Sequence, residues 1–165
     1  MAFLAFRGSA SEASAWLDVV LRLLEGRDDS APRARALTGA GVLANQHSDS
    51  SAARAFHEES LRIWRGLGDQ VAAARALNNL GALALHTGDA PRAISLLHES
   101  RMIAEIAHDD IGVAIGYANL EHCYEDQDDY ARARAALEAS TAIYERVDDR
   151  AGFAAGNPSS VSGHL

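Results

Sequence analysis

Apolar positions along the chain fall at helical rather than strand spacing. Leu77, Leu80, Gly81 and Ala84 stand at i, i+3, i+4 and i+7, and Ala93, Leu96, Leu97, Ser100 and Ile103 form a second stripe. Between them lies Thr87-Gly88-Asp89, where Gly suits a helix C-cap and Asp an N-cap whose carboxylate accepts from free backbone N–H groups. Pro91 follows in a first helical turn, where its missing N–H costs little. Alternating β-branched runs are absent, and Ala, Leu, Arg and Glu dominate. The pattern predicts two helices between about residues 70 and 109.

The same pattern recurs every 40 residues without a gap. Ala34, Arg35, Ala36, Leu37, Gly41, Asp49, Ala53, Ser60 and Ile63 fall on Ala74, Arg75, Ala76, Leu77, Gly81, Asp89, Ala93, Ser100 and Ile103. A further shift places Asn79, Leu80, Asp89, Ala93, Leu97 and Ser100 on Asn119, Leu120, Asp129, Ala133, Leu137 and Ser140. Ser48-Asp49 and Asp128-Asp129 match the internal break; Gly68-Asp69, Asp109-Asp110 and Asp148-Asp149 punctuate the copies. One pair of helices cannot bury both apolar stripes, whereas stacking on neighbours does. The expected fold is an all-α, right-handed helical-hairpin solenoid. Its full repeats cover about 30–69, 70–109 and 110–149, with partial repeats at 1–29 and 150–156, so that 1–156 is a single domain and 157–165 a flexible tail. The recurring Gly, Ala and Ser positions mark close helix crossings, filled by Leu and Ile.

Composition narrows the setting. A net charge of -8 and a pI near 5.3 argue against a phosphate-backbone binder. Residues 109–149 hold eleven Asp or Glu against Arg132, Arg134 and Arg146, so one end of the molecule is acidic. No run approaches the roughly 18 apolar residues of a membrane helix, and neither nucleic acid nor membrane is an expected partner. A lone Cys123 excludes an internal disulfide and points to a reducing, cytoplasmic compartment. Ala13-Ser14-Ala15 resembles a signal-peptidase site but lacks a basic region and an apolar core before it, so secretion is not expected.

Leu77, Leu80, Gly81, Ala84, Ala93 and Leu97 follow the tetratricopeptide pattern, as do Leu37, Ala40, Gly41, Ala44 and Ala53, and Tyr117, Leu120, Tyr124, Ala133 and Leu137. The chain resembles that family over residues 10 to about 156. Glu121 stands in place of the glycine, His57 occupies an apolar position, the closing proline is missing, and the repeat is longer than the family's roughly 34 residues. Longer repeats ending in a phrase like Trp64-Arg65-Gly66-Leu67-Gly68-Asp69 are similar to the sensor arrays of bacterial regulatory ATPases and LuxR-type activators. The resemblance implies a non-catalytic protein- or peptide-binding scaffold, a regulatory or sensor module whose first helices line a concave groove.

By helical spacing that groove face carries Arg35, Thr38 and Asn45, then Arg75, Asn78 and His86, then His122 and Glu125. Arg35 and Arg75, one copy apart, suit a carboxylate or phosphate through forked hydrogen bonds, unless paired with neighbouring Asp. Asn78, Asn79 and Asn119 suit an extended peptide backbone, since an amide both donates and accepts. The alternative is a small-molecule sensor or enzyme with a pocket around Arg75, Asn78, His122 and Glu125.

Other chemistry has weaker support. Gly39 to Ala44 superficially fits a dinucleotide fingerprint but lacks the strand before it, and Gly81 repeats Gly41, which helix packing explains. The nearest approach to a metal site is His122 with Glu125 and Asp126, a set better read as acidic surface. Cys123 follows Leu43 and Leu83 in register and is expected to be packed; Trp16 and Trp64 are core candidates. No catalytic residue, metal or cofactor is expected. The repeat ends, with Phe3, Leu4 and Phe6 at one and Phe153 near the other, are expected to be covered by a larger array, by end-to-end homo-oligomerisation, or by Met1 to Phe6 folding back as a cap.

Overall fold

The computed structural model describes residues 29–154 together with Arg22, with side chains as far as Asp148. Trp16, Phe3, Leu4, Phe6, the side chain of Phe153, most of the first partial repeat and the 157–165 tail lie outside the described residues. Among those residues there are six helices and no strand: α1 (Ala31–Gln46), α2 (Ser50–Leu67), α3 (Gln70–His86), α4 (Ala90–Ile106), α5 (Asp110–Glu125) and α6 (Tyr130–Ala154). The chain divides into two compact units, Met1–Asp69 and Gln70–Leu165. In the first, α1 packs on α2. In the second, α3 packs on α4, α4 on α5 and α5 on α6, and α3 also touches α5.

The breaks read from sequence are built alike. Ser48, Gly68, Gly88, His108 and Asp128 all have positive φ, between 55° and 79°. Each reverses the chain through the same two bonds: in the break at Gly88, the Gly88 N–H reaches the Leu85 carbonyl at 2.9 Å and the Asp89 N–H the Ala84 carbonyl at 2.8 Å. An Asp follows every one. Asp49, Asp89, Asp109 and Asp129 accept from the N–H of Ala52, Arg92, Gly112 and Arg132 at 2.9–3.2 Å, satisfying a donor that the new helix cannot. At Asp148-Asp149 no break occurs, and α6 runs on to Ala154.

Each hairpin is also tied across its middle. Ser60, Ser100 and Ser140 are buried, and their hydroxyls donate to the carbonyls of Ala34, Ala74 and Ala114 at 2.9, 2.7 and 3.0 Å. The small residue thus permits close approach and also supplies a hydrogen bond there. Around these ties sit Leu37, Ile63 and Trp64 in the first unit and Leu77, Leu97, Leu120 and Cys123 in the second, all buried.

Candidate functional site on the first helices

In the second unit the first helices, α3 and α5, lie in contact and bring together most of the residues expected to bind. Asn119 Nδ2 donates to Asn78 Oδ1 at 2.9 Å, so these two amides link the helices to one another. Each keeps further donor and acceptor capacity. Arg75 is 70% exposed, and its guanidinium lies 3.6 Å from Asp109 Oδ2, long for a hydrogen bond and consistent with an attraction that solvent screens. Ile115, one repeat on from Arg75, is also exposed. Asn79 is partly buried and His86 exposed at the end of α3.

His122 projects from the far end of α5 with Nδ1 3.2 Å from Glu121 and 3.8 Å from Glu125. One ligand atom from each of the three lies within 4.8 Å of the others. The sequence pairs His122 with Glu125 and Asp126; the structure puts Glu121 in the third place, and the Asp126 N–H bonds instead to the His122 carbonyl as the helix ends. His122 and Glu125 are exposed, and a structural zinc site wants four ligands in a closed shell. An acidic, half-paired helix surface accounts for the cluster.

In the first unit, Arg35 stacks over the Trp64 ring, 5.9 Å from its centroid, so α2 steadies a guanidinium that stays exposed. The Thr38 hydroxyl turns toward the hairpin, donating to the Ala34 carbonyl at 3.0 Å and meeting Ser60 Oγ at 2.9 Å. Asn45 is exposed, and its carbonyl accepts from Ser48 as α1 terminates.

Cys123 is buried, and burial, with Asp126 nearby, pushes its thiol up to about 11. It stays protonated near neutrality and packs as a small apolar residue among Leu97, Leu120 and Tyr124. His98 meets the Tyr124 hydroxyl at 3.0 Å, a link between α4 and α5 that the sequence did not disclose, because it depends on which residues face each other across the crossing. Burial, then the charge of Arg101, lowers its pKa.

Residues 72–146 match the family model of the tetratricopeptide repeat. Among solved structures the chain is similar to the crystal structure of BtubC (BKLC) from P. vanneervenii, at 20% identity and a TM-score of 0.78, over 84% of this chain. The match spans 58% of that chain's length. No curated protein matches at the level of sequence. The repeated hairpin, its paired helices and the solved neighbour agree on an all-α helical-repeat solenoid fold, and residues 72–146 are similar to the tetratricopeptide-repeat family.

Proposed function

We propose that the chain is a non-catalytic scaffold that holds a protein or peptide segment against the exposed face of its first helices. Tetratricopeptide repeats generally mediate protein–protein interaction. The observation that carries the reading is the Asn78–Asn119 bond: it holds α3 and α5 side by side while Arg75 and Ile115 remain open to solvent. A cation, spare amide groups and an apolar side chain on one pair of helices match a peptide bearing a carboxylate, free backbone amides and an apolar residue. Asn79, His86, His122 and Glu125 extend the contact in this unit; on α1 the corresponding residues are Arg35 and Asn45, the Thr38 hydroxyl being engaged inside the hairpin. A small-molecule pocket has less support, since Asn119 takes the Asn78 oxygen and His122 and Glu125 stand exposed. The bacterial and regulatory setting rests on the likeness of the longer repeat to sensor arrays, and the cytoplasmic one on the lone Cys123.

Selection of a displayed random-peptide library on the full chain, followed by calorimetry with the selected peptide, tests the reading. Arg75→Ala and Asn119→Ala are each expected to weaken that peptide about ten-fold, the loss of one charge-assisted or amide contact. Affinity indifferent to both substitutions would remove the first-helix face from the binding site.

A further inference from the structure

The second helices have two shoulders, and only some of them are covered. On α4, Ala93 and Ser100 face α3, while Arg101 and Ala104 face α5: a Cβ on Gly116 would come 3.1 Å from the Arg101 Cβ, and one on Gly112 3.1 Å from the Ala104 Cβ. Leu97 lies between the two, against Gly81 of α3 and clustered with Leu120, Cys123 and Tyr124 of α5, and is fully buried; Ala104 is 1% exposed. One repeat on, α6 buries Ala133, Ala136 and Ser140 in the manner of the α3-facing side of α4. Its other shoulder is open. Leu137 and Tyr144, in register with Leu97 and Ala104, are 50% and 42% exposed, and Tyr130, seven residues before Leu137 on the same face, is 65% exposed. A shallow depression of about 500 Å³ lies at its end, lined by Tyr144, Glu145, Val147 and Asp148.

The interface already present between α4 and α5 defines the shape that fits here: an α-helix of about four turns, laid along the shoulder, with small residues at the crossing. Charge defines the rest. Residues 109–149 carry the equivalent of the chain's entire net charge of -8, the remainder being balanced. The three arginines of this stretch are already held within the second unit, Arg132 by Asp129, Arg134 by Glu138 and Arg146 by Asp110, at 2.7–3.1 Å. At the shoulder itself Glu145 and Asp148 stand beside Tyr144, so a second copy laid face to face here would bring like charges together, whereas a cationic helix would be drawn in.

We propose that the open shoulder of α6, Tyr130–Leu137–Tyr144, is a docking surface for a cationic amphipathic helix of a partner protein, seated as α5 is seated on α4. This surface is distinct from the first-helix face, so either can fail without the other.

The probe is a synthetic peptide of residues 109–125 carrying Asp110→Arg, Glu121→Arg and Glu125→Arg, labelled and titrated into the full chain by fluorescence anisotropy. It is expected to bind at least ten-fold more tightly than the unaltered, acidic peptide, with affinity falling as salt rises from about 50 to about 500 mM. Leu137→Gln with Tyr144→Gln, both exposed and expected to leave the circular dichroism spectrum unchanged, should weaken it at least ten-fold; Arg75→Ala should not. Equal binding of the two peptides, no binding of the cationic one, or a loss that follows Arg75→Ala alone would overturn the proposal. So would self-association of the free chain in sedimentation that Leu137→Gln with Tyr144→Gln abolishes, which would give the face to a second copy.

Discussion

The hairpins α1/α2 and α3/α4 share a backbone plan and differ at its tightest point. In α3/α4, Leu97 is driven against Gly81, where an added Cβ would come 2.7 Å from the Leu97 Cγ. In α1/α2 the same crossing is made by His57 against Gly41, where an added Cβ would come 2.4 Å from the ring. His57 is 3% exposed, and its Nδ1 has no hydrogen-bond partner. The crossing therefore selects for shape: a bare helix backbone accepts any side chain that fills the notch, even one whose polarity is poorly served there. The third hairpin, α5/α6, completes the comparison. Glu121 stands where the glycine would be, and Leu137, the counterpart of Leu97, is left half exposed.

The strongest way to break the comparison is to empty the notch where it is best filled. Leu97→Ala removes a fully buried side chain from a crossing whose partner is only a glycine, and it should cost about 2–5 kcal/mol in urea unfolding. Leu137→Ala, the same change in the same register, should stay within about 0.5 kcal/mol because that side chain is already in water by half. Similar losses at both positions would mean that register alone, and not the glycine notch with its covering helix, sets the value of the residue.

A second test exchanges the chemistry at the first notch. Burial lowers the His57 pKa below its ordinary 6.5, since the charged ring would have to leave water. Above about pH 6.5 the ring is neutral in both folded and unfolded chains, and it makes no pH-dependent difference. As pH falls below that, the unfolded chain takes up the proton first, so stability drops until the folded-state pKa is also passed. His98, lowered chiefly by burial, adds a change of the same sign in the second unit. His57→Leu should therefore raise stability by about 1 kcal/mol at neutral pH, by removing a buried polar group without a partner. It should also remove part of the loss between about pH 6.5 and 5, leaving the His98 share. Amide hydrogen exchange on α1 and α2 at the two pH values reads this directly. Equal acid sensitivity in the two proteins would show that His57 reaches water or a partner in the folded state.

Much of this was legible from the 40-residue repeat. The three helix pairs from residue 31 onward, the five internal reversals up to Asp128 and the aspartates that follow them are local matters, carried by Gly, Asp and apolar spacing within a few residues. The small residues at Gly41, Gly81 and Ser100 also announced the close crossings. Other features were not legible, because they depend on which side chain meets which. Asn119 proved to bond Asn78 of the other first helix, Thr38 proved to face Ser60, and His98 found Tyr124. The length of α6 escaped because Asp148-Asp149 looks like the earlier punctuation, whereas the helix runs through it to Ala154.

The smallest expected effect refines the same comparison at the turn inside each hairpin. Ser48 of the first and Gly88 of the second both adopt the left-handed conformation, at φ of 62° and 79°, and make matching backbone bonds. A Cβ in that conformation crowds the following carbonyl, at a cost of about 1–2 kcal/mol. Glycine avoids the clash but gives up more freedom on folding, by about 0.4–1 kcal/mol. The balance favours glycine by about 0.5 kcal/mol, so Ser48→Gly should stabilise the first hairpin and Gly88→Ser should destabilise the second by about the same amount. Neither site is crowded by a neighbouring side chain in a way that would swamp the difference: Ser48 is exposed, and a Cβ on Gly88 would meet nothing within 4 Å. Because the two changes exchange one residue between equivalent turns, equal and opposite shifts in urea midpoint would show that the hairpins differ here only in backbone cost. Shifts of the same sign would show that the turns are not energetically equivalent, and that the glycine of the second hairpin is kept for something other than its φ.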